Sequence, residues 1–403
     1  MLPFEQALAR ILAAVPATSP ETVSLRKSAG RFLAADAFSP GDLPRFDNST
    51  MDGYAVRAAD IAAASPGAPI HLRLAGRVAA GEEAQASVTP GTCVRVFTGS
   101  PLPAGADAVV MQEDTSPLPS SDPDSIGILT PAHSGENVRQ RGEDVAQGAV
   151  IGSTGERLGP GQIALLAAAG LTEVTVGRPP TVGLIATGSE LVEPGTPLRP
   201  GQIYESNRPA LAAAIGASGA LCHVFPIVAD ALDGTRRVLS DALTRCDAIV
   251  TSGGVSVGDM DFLKPAFEQT GGTLEFWKVD MKPGRPFVFG RYRHKLLFGL
   301  PGNPVSALIT FLLLVRPALL RWQGARDVSL PGHPAQLAEP LTNDGARRHF
   351  IRVRVDGAGK VFSAGTQASH ILSSMAAANA LVEVPANTTL PTGAAVTVLR
   401  LSF

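Results

Sequence analysis

Between Thr181 and Arg321 the chain sets short, unbroken apolar runs beside helix-spaced segments, a rhythm that restricts its fold more than any other feature. Thr181-Val-Gly-Leu-Ile-Ala186 reads as a strand ending at Thr187-Gly188. A helical segment near Pro209 to Ala217 follows, then a strand at Cys222 to Val228. An amphipathic helix from about Leu232 to Arg245 and a strand from Asp247 to Thr251 continue the pattern. Apolar strands alternating with helices mean βαβ units and a parallel sheet. The 42 glycines and 33 prolines demand many turns, which argues against a helical bundle.

Outside this stretch the periodicity differs. Phe4, Leu8, Ile11, Leu12 and Val15 repeat at helical spacing until Pro16 ends the run. Ser39 to Arg57, dominated by Pro, Gly, Asp and Asn, reads as an ordered loop. Short alternating runs from Ile70 to Val150, such as Thr92–Phe97 and Ala108–Met111, describe a β-rich module, with Thr115 to Ser125 an exposed loop inside it. Past Arg321, Phe350 to Val355, Leu381 to Val384 and Val396 to Leu401 look like strands of a small β domain.

Composition narrows the function classes. With 34 Lys plus Arg against 36 Asp plus Glu, the chain offers no electrostatic reason to bind nucleic acid or an anionic membrane. Cys93, Cys222 and Cys246 are odd in number and widely spaced, which suits the cytosol better than a disulfide framework or zinc knuckle. Met1 to Arg10 lacks the apolar run of a signal peptide. Val305 to Leu320 is broken by Arg316 and Pro317 and falls short of the roughly 20 residues of a membrane span. The expectation is a soluble, cytoplasmic protein.

Ligands of doubly wound sheets bind beyond the carboxyl ends of the strands. Three such ends carry unusual residues: Thr187-Gly188-Ser189-Glu190, Thr251 to Asp259 with Ser252, Gly253 and Gly254, and Gly299 to Ser306. In the third, Asn303 suits an N-cap and Pro304 the first helical position, so backbone N–H groups would face an anion. Lys278, Lys282 and Arg285 supply positive charge. On an extended strand positions 278 and 282 share a face, and Pro-Gly-Arg-Pro would hold Arg285 nearby. A solvated edge strand guarded by lysines would read the same way. Asp52, Asp144, Glu190, Asp230, Asp259 and Asp261 lie in loops or at strand ends, where carboxylates suit Mg2+ and also serve turns. No P-loop, GxGxxG fingerprint or GxSxG elbow is present. The residues by themselves point to a multidomain α/β protein handling an anionic, phosphorylated ligand with a divalent metal.

The chain also resembles the molybdopterin molybdenumtransferase family, related to the E domain of gephyrin. The resemblance is carried by Phe46-Asp-Asn-Ser-Thr-Met-Asp-Gly-Tyr-Ala55, Phe97-Thr-Gly99, Gly142-Glu-Asp144, Thr187-Gly-Ser-Glu-Leu191 and Ile203-Tyr-Glu-Ser-Asn-Arg208. It continues through Ser252-Gly-Gly-Val-Ser-Val-Gly258, Lys282-Pro-Gly-Arg-Pro286 and Gly299-Leu-Pro-Gly-Asn-Pro-Val-Ser306. Arg347-Arg-His-Phe-Ile-Arg352 and Gln367-Ala-Ser-His370 are family-like as well.

This resemblance implies a multidomain α/β plus β fold. Residues 1–64 and 146–178 would form a segmented N-terminal dimerisation region, 65–145 a β-rich inserted domain, 179–325 a central doubly wound α/β molybdopterin-binding domain, and 326–403 a C-terminal β-barrel-like domain. It implies a homodimer with active sites between protomers, and molybdate transfer to adenylylated molybdopterin with Mg2+ and release of AMP. Partners would be molybdopterin adenylyltransferase and molybdoenzyme apoproteins. Lys282, Arg285, Ser306, Arg352 and Ser369 would form the molybdate pocket, and Lys278 would hold substrate phosphate. Ser252, Gly253, Gly254 and Asn303 would bind substrate, and Glu190, Asp230, Asp259 and Asp261 would contact pterin or Mg2+. Asp52, Thr98, Arg139 and Asp144 would face the cleft from the partner protomer. Two positions depart from the family pattern: Arg285 stands where lysine is usual, and Gln140 replaces a basic residue.

Overall fold

The computed structural model describes residues 1–117, 124–255 and 262–401. The apolar runs assemble one seven-stranded sheet, ordered Leu2–Pro3, Thr273–Asp280, Pro286–Tyr292, Lys295–Leu300, Ala248–Ser252, Thr181–Ala186, Leu221–Val224. Only Pro286–Tyr292 runs against the others. The inner strands are apolar on both faces because both are covered. Leu297 and Phe298, adjacent in one strand, enter opposite cores: Leu297 joins Leu239 and Phe267, and Phe298 joins Ile11, Leu211 and Leu319. The sheet is therefore doubly wound, as the alternation of strands and helices predicts.

Two sequence expectations change here. The strand expected at Cys222 to Val228 stops at Val224, since Pro226 cannot donate to the ladder, and Val228 returns as an isolated bridge to Thr187. The apolar run read as broken at Arg316 and Pro317, and as too short for a span, continues as one helix through Pro304–Trp322, with a π turn over Phe311–Val315. A proline removes one N–H and crowds the carbonyl four residues back, and a wider turn before it relieves both. This helix is long and apolar enough to cross a membrane, yet 83% of its 18-residue apolar stretch is buried inside the fold, where it serves as the core helix.

Residues 1–14 join the central sheet although the sequence division groups them with the N-terminal region. Leu2–Pro3 pairs with Val279–Asp280, and the stripe Ala7 and Ile11 of helix Phe4–Ala14 is fully buried in the central core. The segment expected to be an ordered loop contains Gly53–Val56, an inner strand of the six-stranded inserted sheet. At Gly53 a β-carbon would collide with the Val110 carbonyl, so the pairing tolerates only glycine. The rest of the N-terminal region is a set of two-stranded ribbons around Leu33, Leu158, Leu166 and Val176. Five C-terminal strands, from Gly332–Leu337 to Ala395–Arg400, close a barrel.

Candidate functional site

Three neighbouring strands of the central sheet end together. The loops after Thr181–Ala186, Ala248–Ser252 and Lys295–Leu300 line one side of a cleft of about 690 Å³. Gly253 has a φ of +87°, and a β-carbon there would stand 2.5 Å from the Thr187 carbonyl, so glycine lets the first two loops close up. Asn207 ties the second to the third, its amide donating to Ser252 Oγ at 2.7 Å and to the Gly302 carbonyl at 2.8 Å. The Thr187 hydroxyl in this wall is buried without a partner. Glu190 and Asp230 project at the rim, where Asp230 and Ser189 exchange two 3.0 Å hydrogen bonds. Ser252, Gly253, Gly254 and Asn303 all line the cleft, as their strand-end placement predicts.

A second cleft of about 550 Å³ adjoins the first, sharing Pro286 and Asn303 with it. Three cations, Lys282, Arg285 and Arg347, line it together with Ser306 and Ser369. The clamp loop is fixed from two sides. Gly284, at φ +100°, packs so tightly that a β-carbon would strike the Thr310 methyl. Lys282 pairs like a strand with the barrel: its N–H donates to Arg348 O at 2.9 Å, and Phe350 N–H donates to its carbonyl at 2.8 Å. Arg347 also reaches across the seam, donating to the Met281 carbonyl at 3.0 Å. Buried His349 records this concentration of charge: burial first, then Lys282, Arg352 and Arg347, push its pKa down to about 4.

Asn303 occupies the N-cap position, but its side chain does not cap the helix. Its amide donates to Ser369 Oγ at 3.1 Å, and the Ser369 carbonyl accepts from Val305 N–H at 3.2 Å. One of the N–H groups expected to face an anion, that of Val305, is thus committed to the C-terminal loop.

Arg352 lies behind the second cleft rather than in its wall. Fully buried, it donates to Ser374 Oγ at 2.9 Å and to the carbonyls of Thr366 at 2.9 Å and Ala368 at 3.1 Å. It therefore pins the loop that carries Gln367 and Ser369. Lys278 lines neither cleft and stands 5.3 Å from the Trp277 ring centroid. Lys282 lies beyond the end of Lys278's strand at Asp280, and a register shift between Phe276 and Lys278 interrupts the simple alternation. Asp259 and Asp261 fall outside the described residues.

The remaining candidates gather on the N-terminal region. Asp52 accepts Thr98 N–H at 2.8 Å and the Thr98 hydroxyl at 2.9 Å, which holds its carboxyl below the ordinary range. Arg139 pairs with Asn48, next to the same turn, and Asp144 N–H donates to Leu43 O at 3.0 Å. All four residues are exposed, and none lines either cleft.

Sequence reasoning gave Arg347 and Asn207 no role. Both lie within motifs that carry the family resemblance, but three arginines crowd residues 347–352, and strand parity there gives no guide because His349 to Val353 are all buried.

Comparison with known proteins agrees over the whole chain. The family descriptions "MoeA N-terminal region (domain I and II)", "Probable molybdopterin binding domain" and "MoeA C-terminal region (domain IV)" match residues 2–170, 183–321 and 334–401. The chain is 41% identical to molybdopterin molybdenumtransferase 2 of Mycobacterium tuberculosis over 92% of each chain. It is 36% identical to the molybdopterin molybdenumtransferase of Haemophilus influenzae, covering 95% of this chain and 94% of that one. The solved molybdopterin biosynthesis MoeA protein of Pyrococcus horikoshii superposes over 100% of both chains with a TM-score of 0.86 at 32% identity. With its strand-end cleft, basic clamp and C-terminal barrel, the chain belongs to the MoeA family of molybdopterin molybdenumtransferases, transferases of molybdenum cofactor synthesis.

Proposed function

We propose that the chain transfers molybdate to adenylylated molybdopterin, with Mg2+, releasing AMP and forming the molybdenum cofactor. The observation that carries this reading is the wall shared by the two clefts. Pro286 and Asn303 belong to both, so an organic ligand on the strand ends meets an oxyanion held by Lys282, Arg285 and Arg347. Cationic donors and hydroxyls suit a tetrahedral oxyanion, and Ser306 and Ser369 complete that set.

Glu190 and Asp230 fit Mg2+ as the two rim carboxylates, because this ion takes one or two protein carboxylates and completes its shell with substrate phosphates and water. Asp259 and Asp261 remain further candidates. Bound Mg2+ would neutralise charge on the leaving phosphate. The protein's own residues hold the molybdate in the clamp and orient the adenylyl phosphoanhydride beside it, so that hydrolysis releases AMP where the oxyanion waits. Lys278, on strand Thr273–Asp280 and outside the walls of both clefts, would meet the substrate phosphate only where the ligand extends beyond them.

In this reading Asp52, Thr98, Arg139 and Asp144 serve the cleft of a partner protomer in a homodimer. The protein would act in the cytoplasm, receiving substrate from molybdopterin adenylyltransferase and passing product to molybdoenzyme apoproteins.

The test is AMP release from purified protein given adenylylated molybdopterin and Mg2+, with and without molybdate. Molybdate-dependent release supports the reading, and a parallel series with tungstate measures how the clamp with Arg285 discriminates between the two anions. Tight binding without AMP release would sink the insertion mechanism.

A further inference from the structure

Away from both clefts, a small polar cavity of about 110 Å³ lies where the N-terminal region meets the central domain. Gly30, Phe32 and Arg157 line it from the first, and Ser218, Gly219, Arg316 and Leu320 from the second. It holds two guanidinium groups and no carboxylate, and among the described residues neither arginine forms an ion pair.

Among the described residues, each arginine keeps guanidinium donors that its structural contacts do not use. Arg316 donates from one terminal nitrogen, Nη1, to the carbonyls of Val328 at 3.1 Å and Ser329 at 3.3 Å. Arg157 makes a single long contact, Nε to the Gly30 carbonyl at 3.4 Å. The helix Asn207–Ala217 ends against the cavity, but it needs no arginine cap. Its carbonyls at Ala214, Ile215 and Gly216 already accept from the N–H groups of Ser218 and Gly219. Burial, and then the facing Arg157, lower the pKa of Arg316, with Asp327 offsetting part of the effect. Like charges brought together in a partly desolvated space repel, and an anion between them reverses the sign of the interaction.

We propose that this cavity binds a single tetrahedral oxyanion of the phosphate or sulfate class, gripped by Arg157 and Arg316 and bridging the N-terminal region to the central domain. The planar forks of two arginines match such an anion through paired N–H donors. Organic ligand sites occupy roughly 300–1,000 Å³, so this cavity takes a free anion and excludes a nucleotide. The site is independent of the transfer reaction proposed above.

The probe is inorganic phosphate, followed by calorimetry at fixed ionic strength in a Lys282→Ala/Arg285→Ala background that weakens the other oxyanion pocket. We expect about one phosphate to bind per chain, sulfate to compete and AMP not to. Adding Arg157→Ala should weaken binding at least tenfold, about 1.4 kcal/mol, and Arg157→Lys should restore part of it. Arg157 is exposed, and thermal unfolding without phosphate checks that the variant keeps its fold. Absence of phosphate binding in the double variant, binding unchanged by Arg157→Ala, or competition by AMP equal to that of sulfate would each overturn the proposal.

Discussion

Phe350 N–H donates to the Lys282 carbonyl at 2.8 Å, so the cationic clamp of the central domain is stitched to the first residues of a barrel strand. The Lys282 N–H completes the pair with Arg348, and the Arg347 side chain crosses the same seam to Met281. The second cleft is thus a property of two domains. The barrel contributes Arg347 and the Gln367–Ser369 loop, and the central sheet contributes Lys282, Arg285 and Ser306.

Replacing Lys282 by alanine removes an ammonium from the pocket and leaves the backbone pair with Phe350 in place. Charge-assisted hydrogen bonds contribute about 1.5–3 kcal/mol, so the molybdate requirement should rise roughly 10- to 100-fold. The melting temperature should move little, since no fold-supporting contact is lost. Turnover near the wild-type rate at limiting molybdate would remove Lys282 from the clamp.

Arg347 and Arg352 separate under the same assay. Arg347→Ala removes a group that faces the cleft and should act mainly through molybdate affinity. Arg352→Met strips the Thr366 and Ala368 carbonyls of their donor on the outer face of the barrel strand, opposite Ile351 and Val353, costing about 2–4 kcal/mol of stability together with the affinity. Calorimetric unfolding beside molybdate titration distinguishes them: an Arg352 variant with wild-type stability and weakened affinity would make it a direct ligand.

How much of this was legible in the sequence follows from which physical rule each residue obeys. The βαβ rhythm is local, so it announced the central sheet and placed Ser252, Gly253 and Asn303 at strand ends that meet in one cleft. Arg352 obeys a rule of three-dimensional packing, in which a buried guanidinium serves carbonyls 14 and 16 residues away, and no spacing in the sequence encodes that. Gly53–Val56 hid among Pro, Gly, Asp and Asn because its pairing depends on a close approach to Val110 from a distant strand. Helix Phe4–Ala14 was plain from its periodicity, but the identity of the face it covers was not.

Gly284 combines a positive φ with contact against Thr310, and each resists a side chain. Gly284→Ala should destabilise the protein by about 2–4 kcal/mol, from left-handed strain and overpacking together. Thr310→Ser removes the obstructing methyl and keeps the hydroxyl, which donates to the Ser306 carbonyl at 2.8 Å. The double variant should therefore recover the packing part and retain the strain. Full recovery in urea unfolding would show that backbone conformation contributes nothing at Gly284.

His349 makes stability depend on pH. Both ring nitrogens are buried without partners, and burial beside Lys282, Arg352 and Arg347 lowers its pKa to about 4, against about 6.5 for a free histidine. The unfolded chain therefore binds a proton between these values while the folded chain does not. The stability associated with the neutral ring is complete above about pH 6.5 and declines as the pH falls toward 4. Over that window the loss is of order 1–3 kcal/mol. A His349→Phe variant cannot titrate, so its unfolding free energy should fall less than the wild type's between pH 7 and about pH 5. Parallel pH curves for the two proteins would show that His349 is not the titrating group, and a steeper curve for the variant would reverse the sign argued here.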